Sequence, residues 1–456
     1  MIASLAPTSM QWPTLGEILR VLTFSAGFNS AVVVVGALLL GAAAGTIGTF
    51  TLLRKRALMS DALAHSTLPG VAIGFLIAAA IGALEYKLPI LLGGAAVTGV
   101  LGVLTVQAIA ATGRLKIDAA IGATLSVYFG VGVVLLSYIQ SIDVGGQGGI
   151  NAFIFGQTAA MLTGDAIALG AAAVLSAILV AMLFKEFRLI CFDQEFAMAQ
   201  GWPVVRIDLA MMTIVVIVTV IGLQAVGLIL VVALIIIPPA TARLWTDRLW
   251  RMACLSAFFG AISGYFGASM SALLTDTPAG AVIVLTAGGI YLVSLFLAPR
   301  RGVIAGVVRR IMLRRSIARQ HTLRALFEVV ESGDPQQHTA SISDLLHRRA
   351  WRQAQLNRSL RSLRRSGLLE LTDKRIKLTD EGFASAQRVT RNHRLWEEYL
   401  VTFADIAPSH VDHAADLVEH VLDANLIKQL ESQLQREGRL PIPSVHPIGS
   451  TEGGAR

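Results

Sequence analysis

The feature that most constrains this chain is a series of nine long apolar runs. They lie at roughly 31–53, 65–84, 88–112, 118–141, 164–184, 206–224, 226–244, 252–273 and 280–298. Each approaches the ~20 residues that a helix needs to cross a bilayer. In hydrocarbon a backbone must satisfy its own polar groups, so each run is expected to be a helix. Composition agrees: 54% of the 456 residues are apolar and 15% are charged, against about 25% charged in soluble domains. Small residues such as Gly41 and Gly45 suit helices packed closely in lipid. Residues 1–300 are therefore expected to form an all-α polytopic membrane domain of about nine transmembrane helices. Residues 13–29, which contain Glu17 and Arg20, read as an interfacial helix. No cleavable signal peptide is expected. Two cysteines, Cys191 and Cys254, make neither a disulfide framework nor a zinc cluster.

Basic residues follow alternate runs. Arg54, Lys55 and Arg56 follow the first, Arg114 and Lys116 the third, and Lys185 and Arg188 the fifth. Arg243 and Arg248 follow the seventh, and Arg300 and Arg301 the ninth. If nine runs alternate, all five ends share one side, which the positive-inside rule assigns to the cytoplasm. The N-terminus is then expected outside and the C-terminus inside, in the bacterial cytoplasmic membrane. The formal charge is +8. Its bases concentrate at these ends and in the last third, where membrane lipid phosphates or nucleic acid would meet them.

The stretch LLRKRALMSDALAHSTLPGVAIGF carries the chemistry. Asp61 and His65 stand at the entrance of the second run, four residues apart, hence on one helical face. A carboxylate and an imidazole so placed can hold a divalent transition metal. Beside hydrocarbon the pair is costly unless it lines a polar path. The alternative is that Asp61 caps the helix and His65 is a satisfied interfacial residue. The segment SDALAHSTLPGVAIGF resembles the signature of the permease subunits of zinc, manganese and iron ABC importers. That resemblance implies a metal path at Asp61 and His65.

Two loops stand out. Residues 143–157, DVGGQGGINAFIFGQ, form a glycine-rich outer lip. Residues 185–204, KEFRLICFDQEFAMAQGWPV, have a short helical pattern bounded by Gly201 and Pro203. An importer permease needs a cytoplasmic helix that docks on its ATPase. The segment from Phe192 to Gly201 resembles the family's F-D-x-E-x-A-x-x-x-G pattern, which assigns Phe192, Asp193, Glu195 and Gly201 to that coupling. An ordinary interfacial helix is the alternative. VGLILVVALIIIPPATARL and TDTPAGA resemble two further family segments, and Pro238 and Pro239 are expected to break their helix. Asp118, Asp165 and Asp208 are read as interfacial charges without a role. No Walker G-x-x-x-x-G-K-[ST] occurs, so a separate ATP-binding subunit must supply energy. The resemblance further implies a periplasmic or lipoprotein metal-binding partner, and a homodimer around one central path is the usual assembly.

After residue 300 the composition changes. Residues 301–318 read as a basic linker and 319–383 as a soluble domain. That domain has helices at 319–331, 343–349 and 351–366, then two strands around 373–375. Three helices and a hairpin form the winged-helix pattern, with Arg358, Arg361, Arg364 and Arg365 placed to meet DNA. A basic face held on anionic lipid is the alternative. In residues 384–434, His393 and Glu397 form one i, i+4 pair, and Asp416, Glu419 and His420 share a second face. Carboxylate and imidazole donors suit Mn²⁺ or Fe²⁺. T-D-E-G, the helix around HRLWEEYL and VEHVLD resemble the diphtheria-toxin-repressor family of metal-dependent regulators. That resemblance implies a helical metal-binding and dimerisation domain. It places His393 and Glu397 in one site, and His321, Asp416, Glu419 and His420 in the other. Asp412 stands where iron-responsive members have His, and Asp416 where they have Cys. Residues 435–456 read as a flexible tail.

The leading expectation is an importer permease, not itself an enzyme, for manganese or iron first and zinc next, fused to a metal-sensing regulator. The alternatives are a membrane-tethered or released metal-dependent repressor acting on promoter DNA, and an ATP-independent channel or exchanger.

Overall fold

All nine apolar runs fold as helices in a computed structural model, but their ends and lengths differ from the expected ones. The structure describes residues 14–82, 87–142, 161–274, 277–332, 339–348, 351–372, 375–403 and 424–436. The chain divides into two units, Met1–Gly306 and Val307–Arg456.

The first unit opens with α1 (Leu15–Leu22), capped by a Thr14–Glu17 capping box. The apolar helices are α2 (Phe28–Leu53), α3 (Ala57–Ala80), α4 (Lys87–Ala111), α5 (Ile117–Ser141) and α6 (Thr163–Met182). After two short helices, α7 (Phe184–Phe192) and α8 (Gln194–Ala199), come α9 (Val204–Val226), α10 (Leu228–Trp245), α11 (Leu249–Leu273) and α12 (Ala279–Leu297). Among the described residues, eight helices are long and apolar enough to cross a membrane; α10 is apolar but shorter. It is short because Gly227, at φ +85°, ends α9 and starts α10. Pro238 and Pro239 do not break α10, which runs through both. They withhold donors from the carbonyls of Leu234 and Ile235, four residues back. The Ile235 carbonyl lies where a Cβ on Gly48 of α2 would collide with it.

Close approach of backbones holds the bundle together. A Cβ on Gly41 would strike the Gly260 carbonyl, and one on Gly45 the Ser256 carbonyl. Ser256 Oγ donates to Gly45 O at 2.6 Å. The small residues of α2 and α11 thus let two backbones touch, which is how helices associate where lipid offers no hydrophobic drive. Gly70 and Gly94 do the same for α3 and α4.

In the second unit the expected linker is helix. Helix α13 (Val303–Ser332) is continuous through the basic stretch. Nothing in that stretch stops it: Gly306 is its sole Gly or Pro, and the next are Gly333 and Pro335. Then follow β1 (Thr339–Ser341), α14 (Ile342–Arg348), α15 (Gln353–Arg365), β2 (Leu369–Thr372), β3 (Arg375–Leu378), α16 (Asp380–Phe403) and α17 (Ala424–Arg436). The strands make an antiparallel sheet in the order β1-β3-β2. Along β3, Ile376 and Leu378 are buried while Arg375 and Lys377 are exposed, the alternation of a half-buried strand. Leu326, Leu345, Leu360, Leu363 and Ile376 fill the core between sheet and helices.

Candidate metal path and its charged neighbours

Helix α3 begins at Ala57 with Arg56 as its N-cap and no side-chain cap. Asp61 is therefore not a capping residue, and the pair lies within the helix rather than at its entrance. Asp61 Oδ1 and His65 Nε2 are 3.5 Å apart, with the side chains 37% and 21% exposed. His65 packs edge-on against Phe129 of α5, with ring centroids at 4.9 Å. Its Nδ1 is buried and has no hydrogen-bond partner among the described residues. Pro69, also inside α3, lacks an N–H, so the His65 carbonyl loses its i+4 donor. One turn of helix thus presents a carboxylate, an imidazole and a backbone carbonyl without its helical partner. Buried polar groups normally have partners, and here one imidazole nitrogen has none among the described residues. Glycines on the neighbours seat this turn: Cβ atoms at Gly102 of α4 and Gly132 of α5 would strike Ser66 and Leu68.

Just before α3 lies a buried charge cluster. Asp208 of α9 is 4% exposed. Its Oδ1 takes Arg54 Nη2 at 3.2 Å, and its Oδ2 pairs with Arg56 Nη1. Gln107 Nε2 of α4 lies 3.4 Å from Oδ2. Arg54 Nη1 also donates to Ile190 O at 2.8 Å and to Gln194 Oε1 at 3.0 Å. The residue between the arginines, Lys55, has φ +57°. This cluster corrects the reading of Asp208 as an interfacial charge without a role. Asp118 is exposed in the first turn of α5, and Asp165 caps α6 by accepting Leu162 N at 2.9 Å.

The expected coupling segment is two helices rather than one. Asp193 ends α7 and N-caps α8, accepting from Phe196 N at 2.8 Å. Gly201, at φ +78°, turns the chain into α9. Phe187, Ile190 and Ala197 are buried, whereas Phe192, Phe196, Met198 and Trp202 are exposed large apolar groups. Glu195 is exposed. Burial pushes the Cys191 thiol of α7 up to about 12, although Arg54 works against it. Nearby, Asp247 accepts from Arg300 at 2.9 Å and Arg301 at 2.6 Å. These hydrogen bonds hold its carboxyl below the usual range.

In the second unit His393 Nε2 and Glu397 Oε1 are 3.0 Å apart and buried. Glu397 Oε2 is buried without a hydrogen-bond partner among the described residues. An imidazole beside a carboxylate with one unpartnered oxygen fits the donor chemistry of a divalent transition metal. Arg394 ties α16 to α13 through Glu331 at 2.7 Å. Among the described residues no group of three or more His, Cys, Asp and Glu gathers around one point. Asp412, Asp416, Glu419 and His420 lie outside the described residues, as does the 143–157 lip. His321 is half-buried on the wall of a cleft between α13 and α15. Arg358, Arg361 and Arg365 line that cleft; Arg364 does not.

The profile of the ABC 3 transport family matches residues 29–298. This chain belongs to that family. The metal binding and dimerisation domain of iron dependent repressors matches residues 379–442. The chain is 35% identical to the manganese transport system membrane protein MntC of Bacillus subtilis, over 91% of this chain and 93% of that one. It is 38% identical to the zinc transport system membrane protein TroC of Treponema pallidum, over 61% of this chain and 92% of that one. A solved structure of PsaBC from Streptococcus pneumoniae, in complex with a Fab, aligns with TM-score 0.54 and 30% identity, covering 63% of this chain and 98% of that one. The chain is thus an ABC 3 family multi-pass membrane protein with a repressor-type metal-binding and dimerisation domain at its C-terminal end.

Within this ABC 3 protein, the structure brings together Asp61 with His65, and His393 with Glu397. Sequence reasoning missed Asp208, Arg54 and Arg56 as one group. The available signal was a carboxylate and a basic pair at ends expected on the same side of the membrane.

Proposed function

We propose that this chain is the permease subunit of an importer for a divalent transition metal, manganese or iron first and zinc next. The observation that carries the reading is the turn from Asp61 to Pro69, with its one-faced carboxylate–imidazole pair, unpartnered His65 Nδ1 and Pro-freed carbonyl. The metal is the substrate there. Oxygen and imidazole donors suit Mn²⁺, Fe²⁺ and Zn²⁺. The names of the manganese and zinc relatives support the same substrate class.

In this reading a separate ATP-binding subunit docks on α7 and α8 through Phe192, Asp193, Glu195 and Gly201. A metal-binding protein delivers substrate on the outer side, and two permease chains form the path. The C-terminal unit lies in the cytoplasm and has the helix, helix, helix and hairpin order of a winged helix. Its metal, when bound, would be held by His393 and Glu397 and by His321, Asp412, Asp416, Glu419 and His420. It would supply a cross-link between helices. The buried, half-partnered Glu397 supports that role.

The test is metal uptake by full-length chain reconstituted with its ATPase. Asp61→Ala and His65→Ala should each abolish uptake while leaving assembly with the ATPase intact. Normal transport by both variants overturns the reading.

A further inference from the structure

A cleft of about 810 Å³ lies between α13 and α15. Ligand pockets commonly have about 300–1,000 Å³. Its walls carry Arg314, Arg315 and Arg319 from α13, and Arg358, Arg361 and Arg365 from the side of α15. Among the described residues no Asp or Glu lines it. Among the described residues none of these six arginines has a carboxylate partner. Arg358 and Arg361 satisfy only their Nε groups, on the Ala354 and Asn357 carbonyls of their own helix. Six like charges around one concavity repel one another until an anion enters.

The shape separates the candidate anions. A recognition helix reads DNA by lying in a groove about 12 Å wide, its outward face free. Here three of the four α15 arginines face a second basic wall instead. A cleft of this volume with two basic walls has the size and charge to take a phosphate headgroup. The α13 wall carries a further clue. Val307, Ile311, Arg315 and Arg319 follow at four-residue steps, so they share one face. Val307, Val308, Ile311 and Met312 are exposed large apolar groups, 40–64% accessible. Ile311 itself lines the cleft. One face of α13 is therefore apolar for two turns and then cationic. Helix α13 starts six residues after α12, an apolar helix long enough to span a membrane, ends at Leu297. A helix with an apolar stripe and adjoining bases is the pattern that seats on anionic lipid.

We infer that this cleft binds the phosphate headgroup of an anionic phospholipid, with the acyl region against the Val307–Met312 face. The site is independent of which metal the transporter carries. It engages Arg358, Arg361 and Arg365 in lipid, so a lipid-bound domain withholds them from nucleic acid.

Trp351 lines the cleft and supplies a probe. Full-length chain in neutral detergent is titrated with phosphatidylglycerol or with phosphatidylcholine. The Trp351 signal is taken as the difference between the parent chain and Trp351→Phe. Phosphatidylglycerol should give a saturable change and phosphatidylcholine none. Arg319→Ala combined with Arg361→Ala should weaken the response at least tenfold, with elution and melting unchanged. Arg364→Ala, on the same helix but outside the cleft, should not alter it. Equal responses to the two lipids overturn the proposal, as does an Arg364→Ala loss equal to that of the double variant. Inorganic pyrophosphate that saturates the same change and blocks phosphatidylglycerol would make this a soluble-phosphate site and overturn the lipid assignment. Duplex DNA that saturates the Trp351 change where phosphatidylglycerol gives none would overturn it in favour of nucleic acid.

Discussion

Replacing Asp208 with alanine should be among the most destabilising single changes in the membrane unit, and the structure says how the loss divides. The carboxylate faces two guanidinium groups whose side chains are 8% and 13% exposed. Removing one partner of a buried ion pair costs about 3–5 kcal/mol, because the other charge is left uncompensated. The two arginines are not equally stranded. Arg54 keeps its bonds to Ile190 O and Gln194 Oε1. For the Arg56 guanidinium the described residues give no other hydrogen-bond or ion-pair partner. Most of the loss should therefore sit on Arg56. A second substitution, Arg56→Met, in the Asp208→Ala background should then recover stability, by about 2 kcal/mol, since it removes the buried charge left without a partner.

The assay is equilibrium unfolding of the full chain in mixed micelles with an increasing fraction of SDS, run on both single variants and the double. The coupling between positions 208 and 56 should be several times the few tenths of a kcal/mol that unlinked sites show. A loss below about 1 kcal/mol for Asp208→Ala, the range of an exposed pair, would refute the reasoning. So would an Arg56→Met change that adds to the loss rather than reversing part of it.

Other expectations can be checked on the same preparations. With Cys254→Ser as background, Cys191 should react with maleimide at pH 8 on the order of a hundredfold more slowly than a free thiol. Its smaller thiolate fraction outweighs the greater nucleophilicity of a basic thiolate. Because its thiol is raised to about 12, the rate should climb about tenfold per pH unit through pH 8–10, the slope of a group still protonated throughout. Gly260→Ala should cost about 1–3 kcal/mol in SDS unfolding, as the new Cβ meets the Gly41 carbonyl. Gly288→Ala, which meets nothing within 4 Å, should be neutral or slightly stabilising. Lys55→Gly should be neutral or stabilising by up to about 1 kcal/mol, because the position is left-handed. Lys55→Val should destabilise.

The apolar runs were legible because a bilayer leaves the backbone few options. The Asp61–His65 pair was legible because helical spacing alone puts both on one face. Even the freed carbonyl of His65 can be read from a proline four residues on. Asp208 was not legible. A charge near the end of an apolar run looks the same whether it meets headgroups or a neighbour, and its partners lie 152 and 154 residues away. Strand β1 was missed for the same reason: three residues, Thr339–Ser341, become a strand only through pairing with β3. The basic stretch 301–318 misled in the other direction, since charge alone does not end a helix that contains no proline.

The geometry around Lys55 explains why the charge cluster and the Asp61–His65 turn belong together. On a helix, residues two apart do not face each other, so Arg54 and Arg56 in helical register would point apart. The left-handed Lys55 between them ends α2 and starts α3 within three residues. It thereby lets both guanidinium groups converge on one carboxylate. A bulky residue at positive φ persists only where its surroundings over-determine it, and Asp208 supplies that constraint. The same Arg54 holds the end of α7 and the start of α8. Asp61 lies five residues beyond Arg56, just over one helical turn into α3. Arg54, Asp208 and Arg56 therefore form a buried charged link between the α7–α8 segment and the start of α3, alongside the apolar packing of Phe187 and Ile190. Uptake and ATP hydrolysis should separate when that carboxylate is removed, more sharply than when Gly260 is enlarged to a similar loss of stability.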